Sequence, residues 1–388
     1  VQKFNEEHEG EIKILETANT RGESFAYEDK VSAAAATNSL PDILMADGPN
    51  VASYAYSNMF IPIEDYFTEE EMVDFLPSTI EQGTYNGHFY AVGMGEGIIN
   101  IYYNKDMLKE AGFEKAPETM DELTQYVEAL TVKEGGETSR YGLNMQVKRY
   151  QLVEFCVSQK DVSFFGDNQG GREAPMTKIV AGEDGTLKAF LEKLQALLDT
   201  GGYKYVEDNI NEEFAQGLSA MAIMSSSRMG TLDELMPGKY MTAYLPKVNA
   251  EDAGGAAVGG SCLNIFNRDN DERVKAAWDV VQYCVSPESQ YTFSTASGYI
   301  PVNVGCEELD EMKAYYEENP QYKVALDQMK DANPLSQEPL DLTYNEINGI
   351  ITEIMLEFCQ GNMSVDETVQ KIVEQCNAAL DEYHSVNG

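Results

Sequence analysis

The sequence predicts an α/β fold built as two lobes, and three observations carry that prediction. At 388 residues the chain exceeds the size at which a single hydrophobic core usually keeps growing, so two domains are expected. Segments of helical periodicity alternate with short turns and apolar strands, the pattern of sheets flanked by helices. The composition, 43% hydrophobic and 24% charged, is that of an ordinary globular chain.

Taken in chain order, residues 4–7 close a helix, and residues 11–15 alternate like a short strand. Residues 27–36 favour helix, and 38–45 read as a turn followed by a buried strand. Two β-rich runs follow over 87–94 and 98–103. A compact helix covers 104–112, with Gly112 placed as its C-terminal cap. Another helix spans 118–130 and leads into a polar loop over 133–140. In 186–199 the residues Leu187, Phe190, Leu191, Leu194 and Leu197 or Leu198 fall on one helical stripe. Residues 211–216 lead into a buried strand over 220–224, and 240–244 and 262–266 read as further strands. The glycine-rich segment 254–260 is the most flexible stretch. Helices dominate 271–285 and 344–383. The lone Trp278 sits in an amphipathic helix and is expected in the core. Residues 1–9 read as part of an amphipathic helix rather than a signal segment, so the chain is expected to continue upstream of Val1.

The excess of acids, 66 Asp and Glu against 27 Lys and Arg, gives a formal charge of −39. Such a surface repels phosphate backbones and anionic headgroups, which argues against nucleic-acid or membrane-surface binding. It also disfavours a strongly anionic small ligand unless local cations reverse the field. No stretch reaches the roughly 18–20 apolar residues of a membrane span. Cys156, Cys262, Cys284, Cys306, Cys359 and Cys376 lie far apart and form no CxxC. They read as unpaired structural thiols, with one long-range disulfide left open. His8, His88 and His384 lie in unrelated regions and offer little to a histidine-based site. Residues 267–272 resemble a calcium loop but lack its glycine and distal glutamate. Capping of the next helix by Asp269 or Asn270 explains them better.

Several segments, in order, resemble the family 1 extracellular solute-binding proteins, and within them the maltose- and glycerol-3-phosphate-binding subgroup. They are Tyr27-Glu-Asp-Lys, Pro41-Asp-Ile-Leu, Tyr102-Tyr-Asn-Lys-Asp-Met-Leu-Lys-Glu-Ala-Gly112, Phe214-Ala-Gln-Gly-Leu-Ser-Ala-Met221, Gly259-Gly-Ser-Cys-Leu263 and Ser297-Gly-Tyr-Ile-Pro-Val302. Glu317-Glu-Asn-Pro320 and the last helices fit the same branch. Each motif is weak alone; six in register are specific. The resemblance implies a type II periplasmic-binding-protein-like fold, each lobe a β-sheet flanked by helices, with the ligand cleft between lobes. It places residues 1–103 and 257–301 in the N-terminal lobe, and 104–256 and 302–388 in the C-terminal lobe. It further implies a monomeric, extracytoplasmic component of an ABC importer, anchored as a lipoprotein or periplasmic. Such a component delivers a small carbohydrate to the permease subunits, with no cofactor, no metal and no catalysis. In the family a strand with an aromatic-rich ligand loop precedes the segment where this chain begins.

A sugar needs aromatic faces for its C–H surfaces, and carboxylates, amides and guanidinium groups for its hydroxyls. Tyr27 matches a ligand contact of the resembled branch, or caps its helix at the surface. Asp47 matches an acidic contact, in preference to an Asx turn before Gly48-Pro49. Glu96, inside Gly93-Met-Gly-Glu-Gly97, would repel phosphate but accept from a neutral polyol; a flexible turn explains it equally. Either Arg149 or Tyr150 falls where the resemblance puts an aromatic cleft residue. Ser226 and Arg228 end a buried strand, where small polar contacts are implied; a salt bridge is the other reading of Arg228. Gly260 and Ser261 offer backbone and hydroxyl donors, or hinge flexibility. Tyr299, fixed between Gly298 and Pro301, is the implied ligand-facing tyrosine. Asn348 stands where glycerol-3-phosphate binders carry an arginine, which favours a mono- or oligosaccharide over glycerol-3-phosphate or a glycerophosphodiester. Two other classes compete. A glycosidase with a carboxylate pair lacks any discriminating signal among 66 acids. A sensory or adhesive module of the same fold is separable only by its partners.

Overall fold

The computed structural model describes residues 1–16, 24–72, 74–268 and 270–387, with the backbone alone at 24–29, 69 and 387. Its described strands are β1 (Ile43–Asp47), β2 (Thr84–Tyr85), β3 (His88–Phe89), β4 (Ala91–Gly97), β5 (Ile99–Asn104), β6 (Val132–Glu134), β7 (Glu137–Met145), β8 (Tyr203–Tyr205), β9 (Ser219–Ser225), β10 (Tyr240–Ala243) and β11 (Gly259–Ile265). A small antiparallel sheet runs β1-β11-β4, and β2-β3 is a short hairpin beside it. A six-stranded sheet runs β10-β5-β9-β7-β6, with β8 also paired to β7. In it β7 lies parallel to both β8 and β9, so the carboxyl ends of these three strands share one edge. That edge is where open α/β sheets place their ligands.

Each sheet carries its own core. The helix Thr186–Asp199 turns its predicted stripe inward, burying Leu187, Phe190, Leu191, Leu194 and Leu197. Phe190 stacks on Phe155 at 4.4 Å within the large-sheet core. Burial of such side chains stabilises the lobe by roughly 1.5–3 kcal/mol each. Trp278 is buried against the small sheet, edge-on to Phe67 at 4.3 Å. The helix Asp271–Cys284 that carries it is capped by Asn270, whose side chain accepts from the Arg273 amide. Asp269 lies outside the described residues. All six cysteines are free thiols.

Two local expectations give way. Residues 11–15 form no strand: the Ile14 amide donates to Asn5 Oδ1 at 2.7 Å and its carbonyl accepts from Asn5 Nδ2. The segment thus satisfies its backbone on the first helix rather than on a ladder. The expected loop 133–140 is instead the β6-β7 hairpin, turning at Gly135 (φ +62°) and Gly136 (φ +93°). Two consecutive left-handed residues are what a tight hairpin turn requires.

The two sheets are joined where β4 runs into β5 through Ile98. Although the sequence grouped residues 99–103 with the N-terminal lobe, β5 pairs with β9 and β10 inside the large sheet. Ile98 is held by Ser226, whose amide donates to the Ile98 carbonyl at 2.8 Å and whose Oγ accepts from the Ile98 amide at 3.3 Å.

Candidate functional site

The ends of both sheets converge on Ile98. On the small-sheet side, Asp47, Ser261 and Gly95 lie side by side across β1, β11 and β4. Gly260 has φ +132°, and a Cβ there would stand 2.5 Å from the Gly95 carbonyl oxygen, so no larger residue fits this bulge. Tyr299 follows the helix Pro287–Ser297; its ring lies over Gly97 and its Cβ beside Gly95, and it stacks at 5.8 Å on Phe293, whose ring covers Gly95. Its neighbour Ile300 exchanges both backbone hydrogen bonds with Glu96.

From the large-sheet side, the helix Arg149–Val157 reaches into the same region. Tyr150 donates to the Gly97 carbonyl at 3.1 Å and lies against Gly259. One turn further, the buried Glu154 accepts from the Ala257 amide. Positions i and i+4 of one helix therefore grip two of the chain crossings between the sheets. Burial and then the field of Glu338 push the Glu154 carboxyl well above the usual range, against the lowering pull of the hydrogen bonds from Ala257 and Tyr150.

Arg149 points the other way. It is 1% exposed, and donates to Glu338 Oε1 at 2.6 Å, to Asp341 Oδ2 at 2.7 Å and to the Pro339 carbonyl at 3.1 Å. Its guanidinium lies 4.4 Å from the Tyr344 ring centroid. Burial raises the Glu338 carboxyl to about 7, against the pull of Arg149 and with the field of Asp47. Asp47 acts on Tyr344 as well, so the small-sheet end faces this cluster. Asn348 lies one turn beyond Tyr344 on the helix Tyr344–Cys359, half-buried.

Beside Ser226 opens a polar groove of about 460 Å³ at the carboxyl ends of β7, β8 and β9. Gln146, Glu207, Asp208, Asn211, Glu212 and Arg228 line it. Arg228 is exposed, the sole cation among the lining residues. Asn211 is 7% exposed and its Oδ1 has no hydrogen-bond partner. The groove is rich in acceptors and has one strong donor, a set suited to a hydroxyl-rich ligand.

The predicted residues therefore distribute unevenly. Asp47, Tyr150, Ser226, Gly260, Ser261 and Tyr299 gather around the crossings, and Arg228 lies in the adjoining groove. Glu96 is fully buried against the helix Pro77–Gly83, with neither carboxylate oxygen hydrogen-bonded, and burial raises it to about 8 although Thr79 lies close. Ser226 is fully buried at the crossing. The Tyr27 side chain lies outside the described residues. Sequence reading missed Glu154, Glu338, Asp341 and Tyr344. No local motif marks them: Arg149 and Glu338 are 189 positions apart. Among the described residues no cluster suits a metal ion and no helix is long and apolar enough to cross a membrane.

A family profile described as bacterial extracellular solute-binding protein matches residues 1–323. The chain belongs to the bacterial extracellular solute-binding proteins. The chain is 26% identical to the sn-glycerol-3-phosphate-binding periplasmic protein UgpB of Shigella dysenteriae, over 98% of this chain and 88% of the relative. UgpB of Escherichia coli K12 matches to the same extent. In three dimensions it resembles the sugar-binding protein MalE of Xanthomonas citri, with a TM-score of 0.84 at 20% identity over 99% of this chain and 94% of that one. UgpB of Mycobacterium tuberculosis in complex with glycerophosphocholine superposes with a TM-score of 0.78 at 20% identity, covering 98% and 94%. These likenesses establish the two-lobed fold that the family shares. As a solute-binding protein of this family, the chain serves an ABC importer by binding a small molecule.

Proposed function

We propose that this solute-binding protein captures a carbohydrate, a mono- or oligosaccharide, between its lobes and delivers it unaltered to an ABC permease. The observation that carries the reading is the acceptor-rich groove beside the crossings, where Arg228 is the only cation among Glu207, Asp208 and Glu212. Such a lining hydrogen-bonds hydroxyls and repels a dianion. Asn348, an amide where the resembled phosphate binders carry arginine, supports the same choice. In this reading Asp47, Tyr150, Ser261, Gly260 and Tyr299, gathered around the crossings, supply the remaining ligand contacts, with the two tyrosines as stacking faces. Tyr27, Ser226 and Glu96 complete the proposed site, Ser226 and Glu96 by shaping its backbone rather than by reaching the ligand.

The lobe division belongs to this proposal. Pairing of β5 in the large sheet supports a first crossing at Ile98, a second near Val258 and a third after Asn303. Extracytoplasmic placement, a lipid anchor and a monomeric state are part of the same reading. The second reading, a glycerol-3-phosphate or glycerophosphodiester binder, draws on the UgpB relatives and on Arg228 as a phosphate partner. Calorimetric titration with maltose, maltotriose and sn-glycerol-3-phosphate separates the two. A one-to-one sugar isotherm, with the sugar recovered unchanged, supports capture; an isotherm with the phosphate alone reverses the choice.

A further inference from the structure

The two lobes also meet through a loop and a strap, apart from the chain crossing at Ile98. The loop, residues 166–176, is rooted in the large-sheet lobe: Gly166 bridges Ile179, Met176 is in that core, and the Met176 carbonyl contacts His384 Nε2 at 2.9 Å. Its tip makes a left-handed turn, with positive φ at Asn168, Gln169, Gly170 and Gly171. That turn presents Arg172 to the other lobe. Arg172 Nε donates to the Glu81 carbonyl at 3.3 Å, on the helix that packs against β4. Its own carbonyl accepts from the Asn86 amide in the β2-β3 turn. Through Nη2 it also donates to the Glu338 carbonyl at 2.9 Å.

Glu338 belongs to the strap, residues 334–343, which Arg149 ties to the large-sheet lobe. The strap also touches the small-sheet lobe. Gln337 Nε2 donates to the Ser78 carbonyl at 3.3 Å, and Leu340, 1% exposed, packs on Ala52, Ala55 and Tyr85. Loop and strap are locked together as well: the Leu340 amide donates to Gly170 at 2.7 Å, and a Cβ on Gly171 would meet the Leu340 carbonyl at 2.2 Å.

We infer that Arg172 is a positioning residue, the pin of a reversible interlobe latch that sets the closed arrangement of the protein. The inference rests on the reading of the chain as a capture protein and adds which contact must break when the lobes part. Reversibility follows from the chemistry of the pin. Arg172 is 6% exposed, bonds only to carbonyls, and leaves Nη1 with no partner. Burial lowers its pKa to about 10, with Glu81 and Glu338 opposing, so it enters the contact charged and incompletely paired. A buried cation of this kind regains water whenever the contact opens, which offsets much of what its hydrogen bonds contribute. Leu340 supplies the apolar remainder.

Hydrogen exchange of the whole protein tests the latch without any ligand. Arg172→Ala should speed exchange at the Asn86 and Leu340 amides by about tenfold or more, while β5 and β9 keep their protection. Leu340→Ser, which attacks the latch independently of Arg172, should produce the same pattern, and small-angle scattering should show a larger radius of gyration for both. Arg172→Lys, retaining the charge and one carbonyl bond, should restore part of the protection. Unchanged exchange at Asn86 and Leu340 overturns the inference. So does equal acceleration through β5 and β9 in both variants, since the contact would then be part of one common core. Sugar binding is measured separately, so either outcome leaves the capture reading standing.

Discussion

Replacing Glu96 by Gln should remove a pH dependence from the stability of the protein. Glu96 is fully buried, neither oxygen is hydrogen-bonded, and its carboxyl is raised from 4.5 to about 8. Below pH 4.5 it is protonated folded or unfolded and contributes no pH dependence. Between 4.5 and about 8 the unfolded chain ionises while the folded one holds its proton, so stability falls as pH rises. Above about 8 the loss is complete. At about 1.4 kcal/mol per pH unit the whole interval amounts to at most about 5 kcal/mol. Glu338, raised to about 7 by burial, adds to the loss over a shorter interval. Urea unfolding at pH 5, 6.5 and 8, followed by circular dichroism, should show the wild type weakening across the series. Glu96→Gln should match it near pH 5 and exceed it by several kcal/mol at pH 8. Equal destabilisation of the variant at all three pH values would show that Glu96 is ionised and paired in the folded protein, and would refute the reasoning.

Other substitutions test the rest of the site. Tyr299→Ala should weaken sugar affinity in calorimetry by roughly tenfold or more while the melting temperature stays within a few degrees; unchanged affinity removes Tyr299 from the site. Arg228→Gln should weaken binding with no loss of stability, because its head group is exposed. Gly260→Ala should destabilise by roughly 2–4 kcal/mol in denaturant titration, from its positive φ and the 2.5 Å approach to Gly95. Arg149→Met strands two buried carboxylates and should cost about 3–5 kcal/mol at neutral pH, less at pH 5, where Glu338 is protonated.

Periodicity carried most of the fold. The stripe of 186–199 matches the helix Thr186–Asp199, buried on one side, and the unbroken apolar run of 220–224 matches β9, buried on both faces, because burial writes itself into local spacing. Where neighbours decide, the sequence was silent or misleading. Residues 11–15 alternate like a strand yet have no ladder to join, and 133–140 look like a loop because their polar side chains line a sheet edge. Strand β5 was legible as a strand, but its sheet was not, since pairing with β9 links positions more than a hundred apart. The site shows the same division. Tyr299 and Gly260 announce themselves through glycine and proline neighbours. Arg149 was one of two candidates for an aromatic cleft position, whereas its partners lie in a strap that no local pattern marks. The helix that Arg149 and Tyr150 start sends them apart, one toward Glu338 and the other toward Gly97.

A thermal-shift screen across mono- and oligosaccharides, polyols and glycerol phosphates tests the central claim most directly. A ligand bound only by the folded protein stabilises it by about 2.7 kcal/mol at a hundredfold excess over its dissociation constant. The account predicts that at least one uncharged sugar raises the melting temperature, that glycerol phosphates do not, and that the sugar is recovered intact. Stabilisation by glycerol phosphates alone would contradict it.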